Sequence, residues 1–301
     1  MAELPKIAAI QMNSSPVVGE NLAAAGRLLR EAAAAGAALA ALPENFACMG
    51  ARDTDKLAFA EPDGSGPIQD FLATIARELK IWIIAGTVPI AVPGDAGRVY
   101  AASLVYNADG QRAARYDKIH LFDVEVPRPA AADAEPNRSS AGERYLESRT
   151  IAFGEPAFVV VETPVGKLGL SVCYDLRFPE LYRALAAAGA ELIAIPAAFT
   201  ARTGAAHWET LLRARAIENQ VYVLAPGETG RHAGGRQTWG HSMIVGPWGE
   251  VLDCCESGEG IAIAEVDVPK LHALRLSFPS LSQRRIGITP GSPVLPGEGR
   301  R

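Results

Sequence analysis

An apolar run that breaks off at a cysteine constrains this chain more than any other feature. Leu168-Gly169-Leu170-Ser171-Val172 has the composition of an interior strand, while Pro179 followed by Glu180, Leu181 and Leu185 has that of a helix start. Between them Cys173-Tyr174-Asp175-Leu176-Arg177-Phe178 has to turn the chain through an elbow at the carboxyl edge of a sheet. Backbone N–H groups at such an edge lower a thiol pKa or bind an oxyanion. A cysteine at a strand end is by itself more often packing than chemistry, because cysteines are among the most buried residues. Its meaning turns on what accompanies it.

The rest of the chain alternates strand and helix patterns. Residues 6–12 read as a first strand, and 21–35 as a helix that Asn21 caps and Gly36 ends. Residues 37–42 read as a short buried strand that delivers Glu44 to an edge. A helix over 68–80 and a strand over 81–88 follow, then a hairpin of 99–106 and 111–116 around Asn107-Ala108-Asp109-Gly110. The strand pair 158–161 and 167–172 leads to Cys173. Beyond it come a helix over 180–188, a strand over 191–195, a helix over 205–219 and a strand over 221–225. Residues 230–235 read as a loop, 241–245, 250–253 and 261–266 as three strands, and 271–276 as a short helix. Pattern alone gives α/β with mixed sheets. Residues 127–142 are rich in Pro, Ala and Ser and read as a loop, and 277–301 form a Pro/Gly-rich tail with no core pattern of its own.

Composition removes several function classes. A net charge of −5 and the lack of a Lys/Arg cluster interleaved with aromatics argue against a nucleic-acid surface. No apolar run reaches the roughly 20 residues that span a bilayer, and the start of the sequence lacks a basic segment before an apolar one. The four cysteines are Cys48, Cys173, Cys254 and Cys255, with no spacing for zinc or a disulfide framework. They suit a reducing cytoplasm. Gly64-Ser65-Gly66 follows no strand and makes a poor phosphate cradle.

Three separated motifs give Cys173 its company. Leu42-Pro43-Glu44-Asn45-Phe46, Tyr116-Asp117-Lys118-Ile119-His120-Leu121-Phe122-Asp123 and Cys173-Tyr174-Asp175-Leu176-Arg177-Phe178-Pro179-Glu180 resemble the Glu, Lys and Cys signatures of the nitrilase superfamily of carbon–nitrogen hydrolases, in its order. Ala206-His207-Trp208-Glu209, Leu212 to Glu218 and Gly240-His241-Ser242-Met243 are similar to its amidase branch. The resemblance implies an αββα four-layer sandwich of two mixed sheets over one domain, 1–276, and a homodimer or larger homo-oligomer; the tail 277–301, costly to order by itself, is expected to dock on the partner subunit.

It also implies a chemistry that needs neither cofactor nor metal. Cys173 is the implied nucleophile, Glu44 the proton carrier, Lys118 the positive group beside the oxyanion, and Glu147 a second glutamate beside the lysine. Tyr174, Arg177, Phe199 and Thr203 are implied substrate-binding residues, with Arg177 and Thr203 gripping a carboxylate. The implied substrate is a small amide bearing a carboxylate, of the deaminated glutathione or 2-oxoglutaramate type. A nitrilase, a carbamoylase and a catalytically silent scaffold are the rivals. Among the residues, His207 is an alternative base, and Asp175 or Glu180 an alternative partner for Arg177.

Overall fold

The computed structural model describes residues 3–126 and 143–286, so the expected 127–142 loop and most of the tail lie outside the described residues. In chain order the first half comprises β1 (Lys6–Gln11), α1 (Val18–Ala34), β2 (Ala37–Ala41), α2 (Pro67–Leu79), β3 (Trp82–Ile84), β4 (Val88–Val92), β5 (Asp95–Tyr106), β6 (Arg112–Asp117), β7 (Asp123–Val126) and β8 (Glu143–Leu146). The second comprises β9 (Val160–Thr163), β10 (Gly166–Leu170), α3 (Pro179–Ala187), β11 (Leu192–Ala194), α4 (Ala201–Asn219), β12 (Tyr222–Ala225), β13 (Thr229–Arg231), β14 (Gln237–Trp239), β15 (Ser242–Val245), β16 (Val251–Cys255), β17 (Gly260–Glu265) and α5 (Val268–Ser277).

Two mixed sheets result. One runs β17-β1-β2-β3-β5-β4 with β6 also on β5, and the other runs β16-β15-β12-β11-β10-β9. Each has a parallel triplet at its centre, β1/β2/β3 in the first and β10/β11/β12 in the second. Helices make those crossovers, which is why both faces of the central strands are apolar. On β1 the alternation is visible residue by residue. Ile7 and Ala9 join the core shared with Leu168 and Leu170 of the second sheet, whereas Ala8 and Ile10 pack with Leu28 and Leu29 of α1 and Leu72 of α2. On the other side Leu181, Tyr182 and Leu185 of α3 and Trp208 and Leu212 of α4 cover the second sheet. The layers are helix, sheet, sheet, helix.

Several local expectations need correction. Helix α1 begins before Asn21, and Asn21 is buried. Its side chain accepts from Ser15 N at 2.8 Å and donates to Ser15 O at 2.7 Å and Ala47 O at 2.9 Å, so it pins two loops rather than capping a helix. Helix α4 begins at Ala201, capped by Thr200, four residues before the expected start at 205, so that its first turn includes Gly204. A Cβ there would meet Trp239 Cβ at 2.2 Å, so the glycine serves close packing. The β13/β14 hairpin takes in part of the expected 230–235 loop, and the expected strand 81–88 divides into β3 and the start of β4. Strand β17 follows β16 in the sequence but crosses to the first sheet and pairs antiparallel with β1.

A buried carboxyl joins the two halves. Glu228, fully enclosed just past β12, accepts from Ser14 N at 2.9 Å and Ser14 Oγ at 2.7 Å, and Ser14 lies just past β1. Burial pushes its carboxyl pKa up to about 8, from 4.5. The folded protein therefore keeps a proton that the unfolded chain releases, and stability falls as pH rises from 4.5 towards about 8. Between pH 6 and pH 9 this group should remove about 2–3 kcal/mol from the unfolding free energy. Urea titrations at the two pH values test this, and Glu228→Gln should flatten the difference. An equal slope in the variant would show that Glu228 is not its source.

Candidate active site

Three chain segments bring the signature residues together at one edge of the sandwich. Glu44 follows β2, Lys118 follows β6 and Cys173 follows β10. The turn carrying Glu44 is tight. Asn45 has φ +62°, its N–H donates to Thr87 Oγ1 at 2.9 Å, and Pro43 lies so close to Gly86 that a Cβ on Gly86 would stand 1.9 Å from Pro43 O. The elbow at Cys173 is also strained. Val172 is extended, Cys173 has φ +49°, and a short 3-10 turn, Cys173–Arg177, leads on to α3. Left-handed backbone at a non-glycine residue persists only where its surroundings over-determine it. Here Cys173 N–H donates to Pro196 O at 2.9 Å, and the enclosed carboxylate of Asp175 accepts from Val172 N at 2.8 Å.

Asp175 does more than brace the elbow. It accepts from Tyr116 Oη at 2.7 Å and from His120 N at 3.2 Å, and lies 2.7 Å from His120 Nδ1, which fastens the cysteine turn to the segment carrying Lys118. The alternative pairing of Arg177 with Asp175 is thereby overturned, because both carboxylate oxygens are committed elsewhere. Sequence reading missed this role. The available signal was a single acid three residues past an extended position that it can bond.

Lys118 is 1% exposed, Glu44 3% and Cys173 8%. The ammonium of Lys118 donates to Glu44 Oε1 at 2.8 Å and to Glu147 Oε1 and Oε2 at 2.8 and 2.9 Å. Glu147, on a short turn after β8, also accepts from Phe122 N at 2.6 Å. The other oxygen of Glu44 accepts from Ala198 N at 2.9 Å, and Cys173 lines the same cleft beside that carboxylate. Burial alone would raise the Glu44 pKa, but the charge of Lys118 and the bonds from Cys173 and Lys118 hold it below its ordinary value. Burial alone would lower Lys118, yet Glu147 and Glu44 keep it well above. Burial and the Glu44 carboxylate push the Cys173 thiol well up, against the pull of Lys118 and the Ala198 N–H. The expectation that the elbow lowers this pKa is therefore corrected. The thiol rests protonated, in contact with an ionised carboxylate that can take its proton.

These groups form the floor of a cleft of about 590 Å³, open mouth included. Tyr174, Arg177, Phe199 and Thr203 all line it, as expected. The Arg177 guanidinium lies 5.4 Å from the Phe199 ring centroid and 5.9 Å from that of Tyr174, and Nη1 donates to His207 Nδ1 at 3.2 Å. His207 is on the exposed side of α4 and does not line the cleft, so it is not placed to act as the base for Cys173. Lys56, Tyr145 and Arg236 line the wall without having been singled out from the sequence. They come from segments with no periodicity, and only the fold gathers them.

The model of the carbon-nitrogen hydrolase family matches residues 6–276. A deaminated glutathione amidase of Synechocystis sp. is 44% identical over 92% of this chain and 97% of its own length. Among solved structures, Saccharomyces cerevisiae Nit3, described as a member of branch 10 of the nitrilase superfamily, superposes with a TM-score of 0.80 at 30% identity, covering 95% of this chain and 98% of that one. A mutant amidase from Nesterenkonia sp. AN1 whose active-site cysteine had added acrylamide superposes at 0.72, with 25% identity over 91% of this chain and 97% of that one.

The contact between Gly86 and Pro43 gives a direct test of how the Glu44 turn is held. Gly86→Ala has to displace backbone, and it should cost about 2–4 kcal/mol in chemical denaturation, at the upper end of single-substitution effects. A loss below about 0.5 kcal/mol, the range of ordinary surface substitutions, would show that the turn is not held by this contact.

Proposed function

Because the chain belongs to the carbon–nitrogen hydrolase family, we propose that it is an amidase that cleaves a small carboxylate-bearing amide through a thioester on Cys173. The observation that carries this reading is the convergence of Cys173, Glu44 and Lys118 on one cleft, with the Lys118 ammonium donating to Glu44 Oε1 at 2.8 Å. Cys173 Sγ attacks the amide carbon while Glu44 takes the thiol proton. The Lys118 charge and the Tyr174 backbone N–H stabilise the oxygen that becomes negative. Glu44 then gives its proton to the departing nitrogen, the C–N bond breaks, and a thioester remains. Glu44 next takes a proton from water, the hydroxide attacks the thioester carbon, and the thiolate leaves and regains a proton from Glu44. Glu147 positions Lys118. Arg177, set between two aromatic rings at the cleft, binds the substrate carboxylate. The relatives named deaminated glutathione amidase favour that substrate or its close analogue 2-oxoglutaramate.

Removing the nucleophile separates this scheme from its rivals. Cys173→Ala should fold with unchanged denaturation behaviour and lose turnover in the chemical step. Wild type incubated with a slow amide should carry an acyl adduct on Cys173 by mass spectrometry. The product should be a carboxylic acid with ammonia or an amine. Carbon dioxide release would mark a carbamoylase, and turnover of nitriles a nitrilase. Full activity in Cys173→Ala would sink the mechanism.

We further propose that the working form is a cytoplasmic homodimer or larger homo-oligomer. No helix among the described residues is long and apolar enough to cross a membrane, and the four cysteines are free. An exposed apolar face supports the assembly. Trp248, 63% exposed, lies edge-on to the exposed Phe278 with centroids 5.5 Å apart, and the next residue, Gly249, packs on the exposed Ile217. A second copy covering this face would bury it. Light scattering at micromolar concentration should give at least twice the monomer mass, and Trp248→Asp should shift the mass towards monomer. A wild-type monomer would refute the assembly.

A further inference from the structure

Ser14 lies behind the turn that carries Glu44, and all of its polar atoms are engaged. Its N–H donates to Glu228 Oε2 at 2.9 Å, its carbonyl lies 3.0 Å from His232 Nδ1, and its Oγ lies 2.7 Å from Glu228 Oε1 and 2.9 Å from Phe46 O. Phe46 stands two residues past Glu44, where its N–H closes the turn on Pro43 O at 3.3 Å. Glu228 and Phe46 are fully buried and Ser14 is 2% exposed, so these polar atoms must find their partners inside the protein.

The hydrogens do not suffice if Glu228 is ionised. A carboxylate only accepts, and the Ser14 hydroxyl has one hydrogen for two acceptors, Glu228 Oε1 and Phe46 O. Given to Glu228, that hydrogen leaves the buried Phe46 O without its donor. Given to Phe46, it leaves a buried carboxylate with Ser14 N–H alone and no cation in contact among the described residues. A neutral Glu228 removes the conflict, because its own O–H donates to Ser14 Oγ and the hydroxyl passes its hydrogen on to Phe46 O. The surrounding charges agree. Burial raises the Glu228 pKa, the bonds from Ser14 oppose this, and the carboxylates of Glu259 and Glu44 add to the rise. His232, which faces Ser14 from the β13/β14 hairpin, donates from Nδ1 to Ser14 O and accepts on Nε2 from Thr238 Oγ1 at 2.6 Å, the pattern of a neutral imidazole, and burial holds its pKa down.

We propose that Glu228, as a neutral acid, is a positioning residue for the base of the reaction: the relay from its O–H through the Ser14 hydroxyl to Phe46 O fixes the turn that holds the Glu44 carboxylate beside Cys173. The inference rests on the amidase reading for the role it gives Glu44. The backbone of Glu228 supports the same carboxylate by a separate route. Its N–H donates to Ala197 O at 3.0 Å, and the next residue, Ala198, donates its N–H to Glu44 Oε2. Changing the Glu228 side chain therefore breaks the relay and leaves that second support in place. High pH breaks the relay too. As pH rises past about 8 Glu228 loses its proton, Ser14 turns its hydrogen to the new carboxylate, and Phe46 O is released.

Glutamine reproduces the neutral acid, donating from Nε2 to Ser14 Oγ and accepting from Ser14 N–H on Oε1, and it has no proton to lose in this range. Wild type and Glu228→Gln are compared from pH 6 to pH 9, with folding checked by circular dichroism at each point. Two rates are read. One is turnover of deaminated glutathione, as kcat and KM. The other is alkylation of Cys173 by iodoacetamide, followed on its peptide by mass spectrometry, in which the S–C bond forms, iodide leaves and Glu44 takes the proton of a thiol held well above its ordinary pKa. The ratio of variant to wild type should stand near 1 at pH 6 and reach roughly 10 or more at pH 9 in kcat and in alkylation, with KM unchanged. Ser14→Ala cuts the relay at its middle and should lose roughly 10-fold in both rates already at pH 6. Ratios that stay flat while both proteins remain folded, or wild-type rates in Ser14→Ala, overturn the relay, since a merely structural Glu228 would move only the unfolding midpoint. Failure of the wild-type chain to turn over any amide would count against the amidase reading instead, and the alkylation ratio would still decide whether Glu228 positions Glu44.

Discussion

A lysine ammonium enclosed almost completely by protein sets the terms for everything around it. Taking such a charge out of water costs several kcal/mol, and it is tolerated only when hydrogen-bonded acceptors of opposite charge surround it. Lys118 meets that demand with two carboxylates from opposite ends of the first half, Glu44 past β2 and Glu147 past β8. The two acids in turn need backbone donors, which Ala198 and Phe122 provide. The cluster thus requires both sheets, a tight turn at Pro43 and an ordered segment after β8 before it can exist at all.

The same balance shapes the thiol. Burial first, and then the Glu44 carboxylate beside it, disfavour a thiolate at Cys173 more than Lys118 and the Ala198 N–H favour one. Cys173 is therefore held neutral, unlike a cysteine paired with an imidazolium, and what its surroundings offer is a base in contact rather than a counter-ion. A nucleophile kept protonated until it is used is also poorly reactive towards oxidants and stray electrophiles.

How much of this could be read from the residues depends on the range of the interactions concerned. The parallel strands and their crossover helices were legible because period and composition are local, and the elbow at Cys173 because a strand, a turn and a proline-started helix follow one another directly. The three signature motifs placed Glu44, Lys118 and Cys173, and the structure brings them together. What stayed hidden is non-local. Asp175 looks like a surface acid until Tyr116 and His120 fold over it. Asn21 looks like a helix cap until Ala47 arrives beside it. Lys56 and Arg236 sit in stretches without periodicity, and no spacing relates them. Strand β17 resembles the hairpin partner of its predecessor, and only the open edge of β1 explains where it goes.

That open edge has a consequence for how the chain comes off the ribosome. Strand β1 emerges before β2 and can pair with it at once, but its other side waits for Gly260–Glu265, some 250 residues later. Until then the first sheet presents an apolar rim of unpaired amides, the kind of surface that recruits other strands or a chaperone. Closure by β17 comes only after every signature motif has been made, so a chain cut short upstream of Gly260 would carry the chemical motifs intact and still be marked for aggregation or disposal.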